Sequence, residues 1–156
     1  MTGLPRVNKE EIYKDLIRQA ETSIDKTLDR QTNICIILSL LKTNFALFWV
    51  GIYWVLDDEL RLGPFQGMVA CTKIKRGKGA CGMAADEAKT VVLKNVMDFP
   101  GYISCHSETR SEIVIPGIMD NKVVFVLDAD STEYDYFDKT DEKYLSVLTD
   151  MMLDVL

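Results

Sequence analysis

The stretch ALFWVGIYWVLDDELRLG, residues 46–63, predicts the fold more directly than any other part of the chain. Residues 46–56 are rich in β-branched and aromatic side chains, a composition typical of a strand. The acidic cluster at 57–59 then supplies a turn, and a second short apolar run follows at 60–63. The stretch therefore predicts an antiparallel β-hairpin.

The elements predicted around this hairpin mix strands and helices without strict alternation. Helices are expected at about 9–27, 31–42 and 80–88 and from Asp138 to the C-terminus, and further strands at about 68–75, 90–93, 112–119 and 123–130. Hairpins combined with flanking helices favour an antiparallel sheet with helices packed on it. The predicted class is α+β, in a single domain spanning residues 1–156.

Composition limits the possible partners and the compartment. The chain is 47% hydrophobic, and its net charge of −6 repels both nucleic acids and anionic membrane surfaces. The N-terminal segment MTGLPRVNKEEIYKD becomes charged before any signal peptide core can form, and no apolar run is long enough to span a bilayer. We therefore expect a soluble cytoplasmic protein that binds neither nucleic acid nor membrane.

Four cysteines, at 35, 71, 81 and 105, carry the first indication of chemistry. With a single histidine and no C-x-x-C motif, they match neither a zinc finger nor a thioredoxin-type site, so no metal is expected. Because thiols stay reduced in the cytoplasm, these cysteines favour a redox role over a scaffolding one. Cys35 is the exception, since its apolar surroundings predict a buried, inert thiol.

The other three cysteines lie in contexts that suit reactivity. Cys81 stands between Gly79 and Gly82 at the predicted start of the short helix, where unpaired amide groups are expected to lower the pKa of the thiol. Cys105 lies in the long 94–111 connection, which should be able to move. A mobile loop that brings Cys105 to a strand-borne Cys71 would form a disulfide that can also open. The neighbouring His106 receives no role.

Two acidic residues are predicted to point in the same direction from the last strand. In VVFVLDADS, residues 123–131, the alternation of strand side chains places Asp128 and Asp130 on one face with Val124. Glu112, at the start of the preceding strand, can join them across an antiparallel pair. An ammonium ligand would relieve the repulsion among these carboxylates. The alternative is that the strand ends here and Asp130 turns into solvent.

The first predicted strand contributes an aromatic face. Trp49, Gly51 and Tyr53 alternate onto one side of it, and the glycine leaves a gap between two large rings. The gap predicts a slot for a small ligand with an apolar or cationic part. The alternative is an ordinary aromatic core.

A series of motifs in this order, WVGIY, LGPFQG, AC-x-x-I, GKGACG, FPGYISC, SEIVIP and VLDADS, resembles the free methionine-(R)-sulfoxide reductases, single-domain proteins of the GAF fold. The resemblance implies that Cys105 attacks sulfur, that Cys71 resolves the intermediate, and that Cys81 is a third cysteine able to join the exchange. It also implies a pocket formed by five residues: Trp49, Tyr53, Glu112, Asp128 and Asp130.

The function implied is the reduction of free L-methionine-(R)-sulfoxide to methionine. Cys105 would become a sulfenic acid and form a disulfide with Cys71 or Cys81, which a thioredoxin-like reductant would reopen without any metal or organic cofactor. The short helix and the mobile loop would cover the pocket, and pairing of the terminal helices in a homodimer is compatible with their apolar stripes. Two alternatives stay open: a non-catalytic GAF sensor of a small ligand, and a thiol redox switch.

Overall fold

The computed structural model describes residues 8–156. Residues 1–7, part of the segment from which the absence of a secretion signal was predicted, lie outside this range. The helices are α1 (Lys9–Ser23), α2 (Arg30–Asn44), α3 (Gly79–Glu87) and α4 (Lys139–Leu153), with a 3₁₀ helix at Val96–Asp98. The strands are β1 (Trp49–Val55), β2 (Glu59–Gln66), β3 (Lys73–Lys75), β4 (Val91–Leu93), β5 (Ser111–Met119) and β6 (Lys122–Ser131).

The six strands form one sheet in the order β3-β2-β1-β6-β5-β4, and every neighbouring pair is antiparallel. The predicted α+β class and the β1–β2 hairpin are thus confirmed. The β5–β6 turn is only two residues long, because Lys122 already pairs with Met119. Its two residues, Asp120 and Asn121, both have positive φ, which matches the twist of a tight hairpin.

The sheet separates two hydrophobic cores. On one face, α1, α2 and α4 pack against the strands; buried members of this core include Leu16, Ile37, Leu148, Ile52 and Phe125. On the other face, α3 and two long connections cover the sheet; this core includes Trp49, Tyr53, Ala84 and Val126. No helix within residues 8–156 combines the length and apolar character needed to cross a membrane.

The two connections over the second face are called here the Cys71 loop, residues 67–72, and the Cys105 loop, residues 94–110. The predicted strand 68–75 is wrong over its first half, since only Lys73–Lys75 pairs with β2. Gly67 takes a φ of 132°, which turns the chain away from the sheet directly after β2. Cys71 therefore lies on a loop. The sequence-based prediction that it lies on a strand is wrong.

Two predictions about the N-terminal helices also need correction. The first helix ends at Ser23 instead of about residue 27, because Ile24 is extended and its N–H caps the last turn. The buried Asn33 side chain then binds the backbone of Asp25 at 2.9 and 3.0 Å and fixes the connection. Cys35 is exposed and not buried, since it lies on the side of α2 opposite the buried Ile37.

Candidate active site

Three carboxylic acids gather on the face of the sheet that α3 covers. Asp128 and Asp130 share one side of β6, and Glu112 of β5 pairs directly with Asp130. All three residues are buried, and Asp130 is only 6% exposed, so the alternative in which it turns into solvent is wrong. One carboxylate oxygen of Asp128 and one of Asp130, Oδ1 in each case, lack any hydrogen-bond partner.

Burial and mutual repulsion change the acidity of this cluster. Burial raises the pKa of Asp128 and of Asp130 well above the ordinary range, and the charge of Glu112 adds to the effect in both. Burial likewise raises the pKa of Glu112, although the neighbouring side chains of Asp128 and Tyr102 oppose the change. The cluster thus retains protons at pH values where isolated carboxyl groups have lost them.

Tyr102 of the Cys105 loop belongs to this site, and sequence reasoning missed it. Its phenol lines the cavity with Glu112, and burial followed by the charge of that carboxylate raises the pKa of the phenol. The phenol therefore stays protonated and available as a donor. A tyrosine within a polar loop gives no sign in the sequence that it reaches a strand residue ten positions later.

Cys81, the third residue of α3, lies against the acids. Its Sγ atom is 4.0 Å from Oε1 of Glu112, and the residue is 4% exposed. Burial raises the pKa of this thiol well above its ordinary value, and the charges of Asp128 and Glu112 raise it further. The prediction that the helix N-terminus lowers the pKa of Cys81 is therefore wrong, because desolvation and the adjacent carboxylates outweigh the amide groups.

The ligand atoms of Cys81, Glu112 and Asp128 lie within 4.8 Å of one another. A thiolate with two carboxylates can bind a divalent metal ion, although the sequence predicted no metal site. The unpartnered carboxylate oxygens of Asp128 and Asp130 are equally suited to an ammonium group, which needs several acceptors around one positive charge.

Cys71 and Cys105 form a disulfide across 34 residues of sequence, with their Cα atoms 5.4 Å apart. This separation is ordinary for a disulfide. Cys81 remains a free, buried thiol. Of the two pairings that the resemblance left open for Cys105, the structure contains the one with Cys71.

The aromatic residues of β1 hold the Cys71 loop against the sheet. The indole Nε1 of Trp49 donates to the carbonyl of Met68, and the hydroxyl of Tyr53 donates to the carbonyl of Cys71, both at 2.9 Å. The predicted ligand slot at Gly51 is wrong, because a Cβ there would lie 2.6 Å from the side chains of both Trp49 and Phe65. Gly51 instead lets those two rings stack, with centroids 5.8 Å apart.

These groups enclose a cavity between the sheet, α3 and the two loops. Seven of the eight residues predicted for the site line it, all except Cys71, and the lining also includes Lys78, Tyr102, Ile103, His106 and Thr109. The volume open to the centres of water molecules is only about 20 Å³. With the disulfide formed, the cavity therefore has room for about one water molecule.

Comparison with known proteins places the chain in a family. No protein-family model matches it. It is 40% identical over 146 residues to GAF domain-containing protein A of Dictyostelium discoideum, covering 93% of this chain and 92% of that protein. It is 38% identical over 156 residues to the free methionine-R-sulfoxide reductase of Escherichia coli, covering 96% and 92%.

A solved structure agrees with these relatives. The free methionine-R-sulfoxide reductase of Neisseria meningitidis in complex with its substrate superposes with a TM-score of 0.91 at 38% identity, covering 99% of this chain and 94% of that chain. The sequence and the fold thus match along almost their whole length. The chain belongs to the free methionine-R-sulfoxide reductase family and has its GAF fold.

Proposed function

We propose that the protein reduces free L-methionine-(R)-sulfoxide to methionine in the cavity described above. The observation that carries the proposal is a buried cluster of three carboxylic acids, with two unpartnered oxygens, next to a cysteine that forms a disulfide. Relatives in Escherichia coli and Neisseria meningitidis are free methionine-R-sulfoxide reductases, which is consistent with this assignment.

The acids explain a preference for the free amino acid. Free methionine sulfoxide carries an α-ammonium group, which peptide-bound sulfoxide lacks. Asp128 and Asp130 each have an unpartnered carboxylate oxygen, and an ammonium group has three donors with which to satisfy them. The ring of Trp49 then forms the apolar wall beside the rest of the substrate.

The chemical step uses Cys105 as nucleophile. Its thiolate attacks the sulfoxide sulfur, and a carboxyl group protonates the oxygen. The S–O bond of the substrate breaks as a new S–O bond to Cys105 forms, so that methionine leaves reduced and Cys105 is left oxidised as a sulfenic acid. We assign the proton to Asp130, because burial raises its pKa and so favours its acid form. Cys71 then attacks the sulfenic sulfur, and water leaves as the disulfide forms.

The small free volume of the cavity in the disulfide form means that the site has to open again in each catalytic cycle. A space of about 20 Å³ holds one water molecule but not an amino acid, so the disulfide form cannot accept substrate. Reduction of Cys71–Cys105 by a thioredoxin-like dithiol releases the Cys105 loop and reopens the site. Such a cycle fits the reducing cytoplasm. A homodimer stays a prediction that size-exclusion chromatography tests.

The test supplies purified protein and a dithiol reductant with three substrates and measures methionine release. The substrates are the free R sulfoxide, the free S sulfoxide and the N-acetylated R sulfoxide, in which the ammonium group is blocked. We expect turnover of the free R sulfoxide only, no turnover by Cys105→Ser, and full turnover by the control Cys35→Ser, whose thiol is exposed on α2.

Three outcomes would contradict the proposal. Multiple turnovers by Cys105→Ser would show that Cys105 is not the nucleophile. Binding of the sulfoxide without oxidation of the thiols would favour a small-ligand sensor. Disulfide formation driven by peroxide, with no methionine formed from the sulfoxide, would favour a redox switch.

A further inference from the structure

The Cys71 loop is held by three side chains that bind its backbone carbonyls. Two of them, Trp49 and Tyr53, belong to β1 and fix the loop to the sheet. The third is His106, whose Nε2 lies 3.2 Å from the carbonyl oxygen of Val69. Since His106 follows Cys105 directly, this contact joins the two loops that carry the disulfide.

His106 is built into the structure and does not lie on its surface. It is 8% exposed, and its ring packs edge-on against Phe48 with centroids 5.4 Å apart. A carbonyl oxygen can only accept, so Nε2 carries the hydrogen atom of this contact. Among the hydrogen bonds of residues 8–156, it is the only one between the Cys71 loop and the Cys105 loop. The disulfide joins the same two loops covalently.

We propose that His106 is a positioning residue for the disulfide-forming step. Its hydrogen bond to Val69 holds the Cys105 loop against the Cys71 loop, so that the two cysteines stay within reach before they are joined. In the reaction, the Cys71 thiolate attacks the Cys105 sulfenic sulfur, a new S–S bond replaces the S–O bond, and the oxygen leaves as water after taking up a proton. The inference rests on the proposed function for the origin of the sulfenic acid.

The size of the effect follows from the strength of one hydrogen bond. An intramolecular hydrogen bond of this kind favours the joined arrangement by a factor of about 2 to 10. Loss of the Nε2 donor should slow disulfide formation by that factor. Because the ring of His106 also lines the cavity, the rate of disulfide formation is measured separately from the rate at which the sulfenic acid forms.

Three substitutions of His106 distinguish the effect of its Nε2 hydrogen-bond donor from the effect of the packing of its ring. His106→Gln places an amide donor near the position of Nε2, His106→Asn is one carbon too short to reach the carbonyl of Val69, and His106→Leu fills space against Phe48 without any donor. We expect Gln to restore most of the rate, and Asn and Leu to lose it. If the Leu variant does not fold, the comparison of Gln with Asn still decides.

The first measurement is a single turnover with the R sulfoxide, in which methionine release reports the first step and capture by dimedone reports the lifetime of the sulfenic acid. The expected result is a sulfenic acid that, once formed, lasts about 2- to 10-fold longer in the Asn and Leu variants than in the wild type. A wild-type lifetime of the sulfenic acid in both the Asn and Leu variants would overturn the proposal. So would a lifetime in the Gln variant that is as long as in the Asn and Leu variants.

The second measurement needs no sulfoxide. The protein is equilibrated with reduced and oxidised glutathione, and the fractions of the Cys71–Cys105 dithiol and disulfide are measured. Their ratio gives the effective concentration of the two thiols relative to each other. This value should fall about 2- to 10-fold in the Asn and Leu variants. If the protein proved not to reduce the sulfoxide, this equilibrium would still show whether His106 brings the cysteines together. An effective concentration equal to that of the wild type in the Asn and Leu variants would refute the positioning role.

Discussion

Replacing Asp130 by asparagine should make the protein more stable and a poorer enzyme. Asp130 is buried, and its Oδ1 has no hydrogen-bond partner. Leaving a buried polar group unsatisfied costs about 1–3 kcal/mol, and more when the group is charged. Asparagine keeps a polar oxygen at this position but carries no charge, so at pH values where Asp130 is ionised the substitution should raise the free energy of unfolding by about 1–3 kcal/mol, or the melting temperature by about 2–12 °C for a domain of this size.

The gain should depend on pH in a defined direction. Burial raises the pKa of Asp130 in the folded protein above its ordinary value of 3.8, so above that pH the folded state holds more protons than the unfolded state. The free energy of unfolding of the wild type consequently falls as the pH rises from about 4 through the folded pKa. Asp130→Asn lacks this titration, and its advantage should grow over the same window.

The loss of activity should accompany this gain. A hydrogen bond to a charged group contributes about 1.5–3 kcal/mol, so kcat/KM for the free R sulfoxide should fall about 10- to 100-fold. The assay is urea unfolding of the reduced protein at pH 5 and pH 8, together with steady-state kinetics. Asp57→Asn is the matched control, because it removes the same charge from an exposed turn. Equal or lower stability of Asp130→Asn at both pH values would refute the reasoning.

Three further changes test other parts of the site. Cys71→Ser should release one methionine per protein and then stop, as seen in a single-turnover assay; normal cycling would show that the buried Cys81 resolves the sulfenic acid instead. Tyr102→Phe removes a phenol hydroxyl that lines the cavity with Glu112 and should lower kcat/KM about 3- to 10-fold, whereas unchanged kinetics would exclude the phenol from substrate binding. Gly51→Ala should lower the free energy of unfolding by about 1–3 kcal/mol, since the new Cβ would lie 2.6 Å from two aromatic side chains; an unchanged urea midpoint would contradict this packing.

The strand face that carries the acids was accessible from the sequence, because alternation places Asp128 and Asp130 together whatever surrounds them. The same rule failed for Val124, which packs with the core on the helix side and not on the acid face. There Ile118 pairs with Val123 while Gly117 pairs with Phe125, so β6 has one extra residue and its alternation is interrupted. Such an irregularity depends on the partner strand and leaves no trace in local periodicity.

Local sequence thus determined the elements, the hairpin and the shared face of the acids, since these follow from side-chain alternation and turn composition over a few residues. Only the tertiary structure decided how the site behaves. The acidity of Cys81 depends on carboxylates from distant strands, and the filled space at Gly51 depends on a ring from β2. The approach of His106 to Val69 depends on contact between two loops, and these two residues are 37 positions apart in the sequence. Burial and long-range contact set these properties, and neither can be read from neighbouring residues.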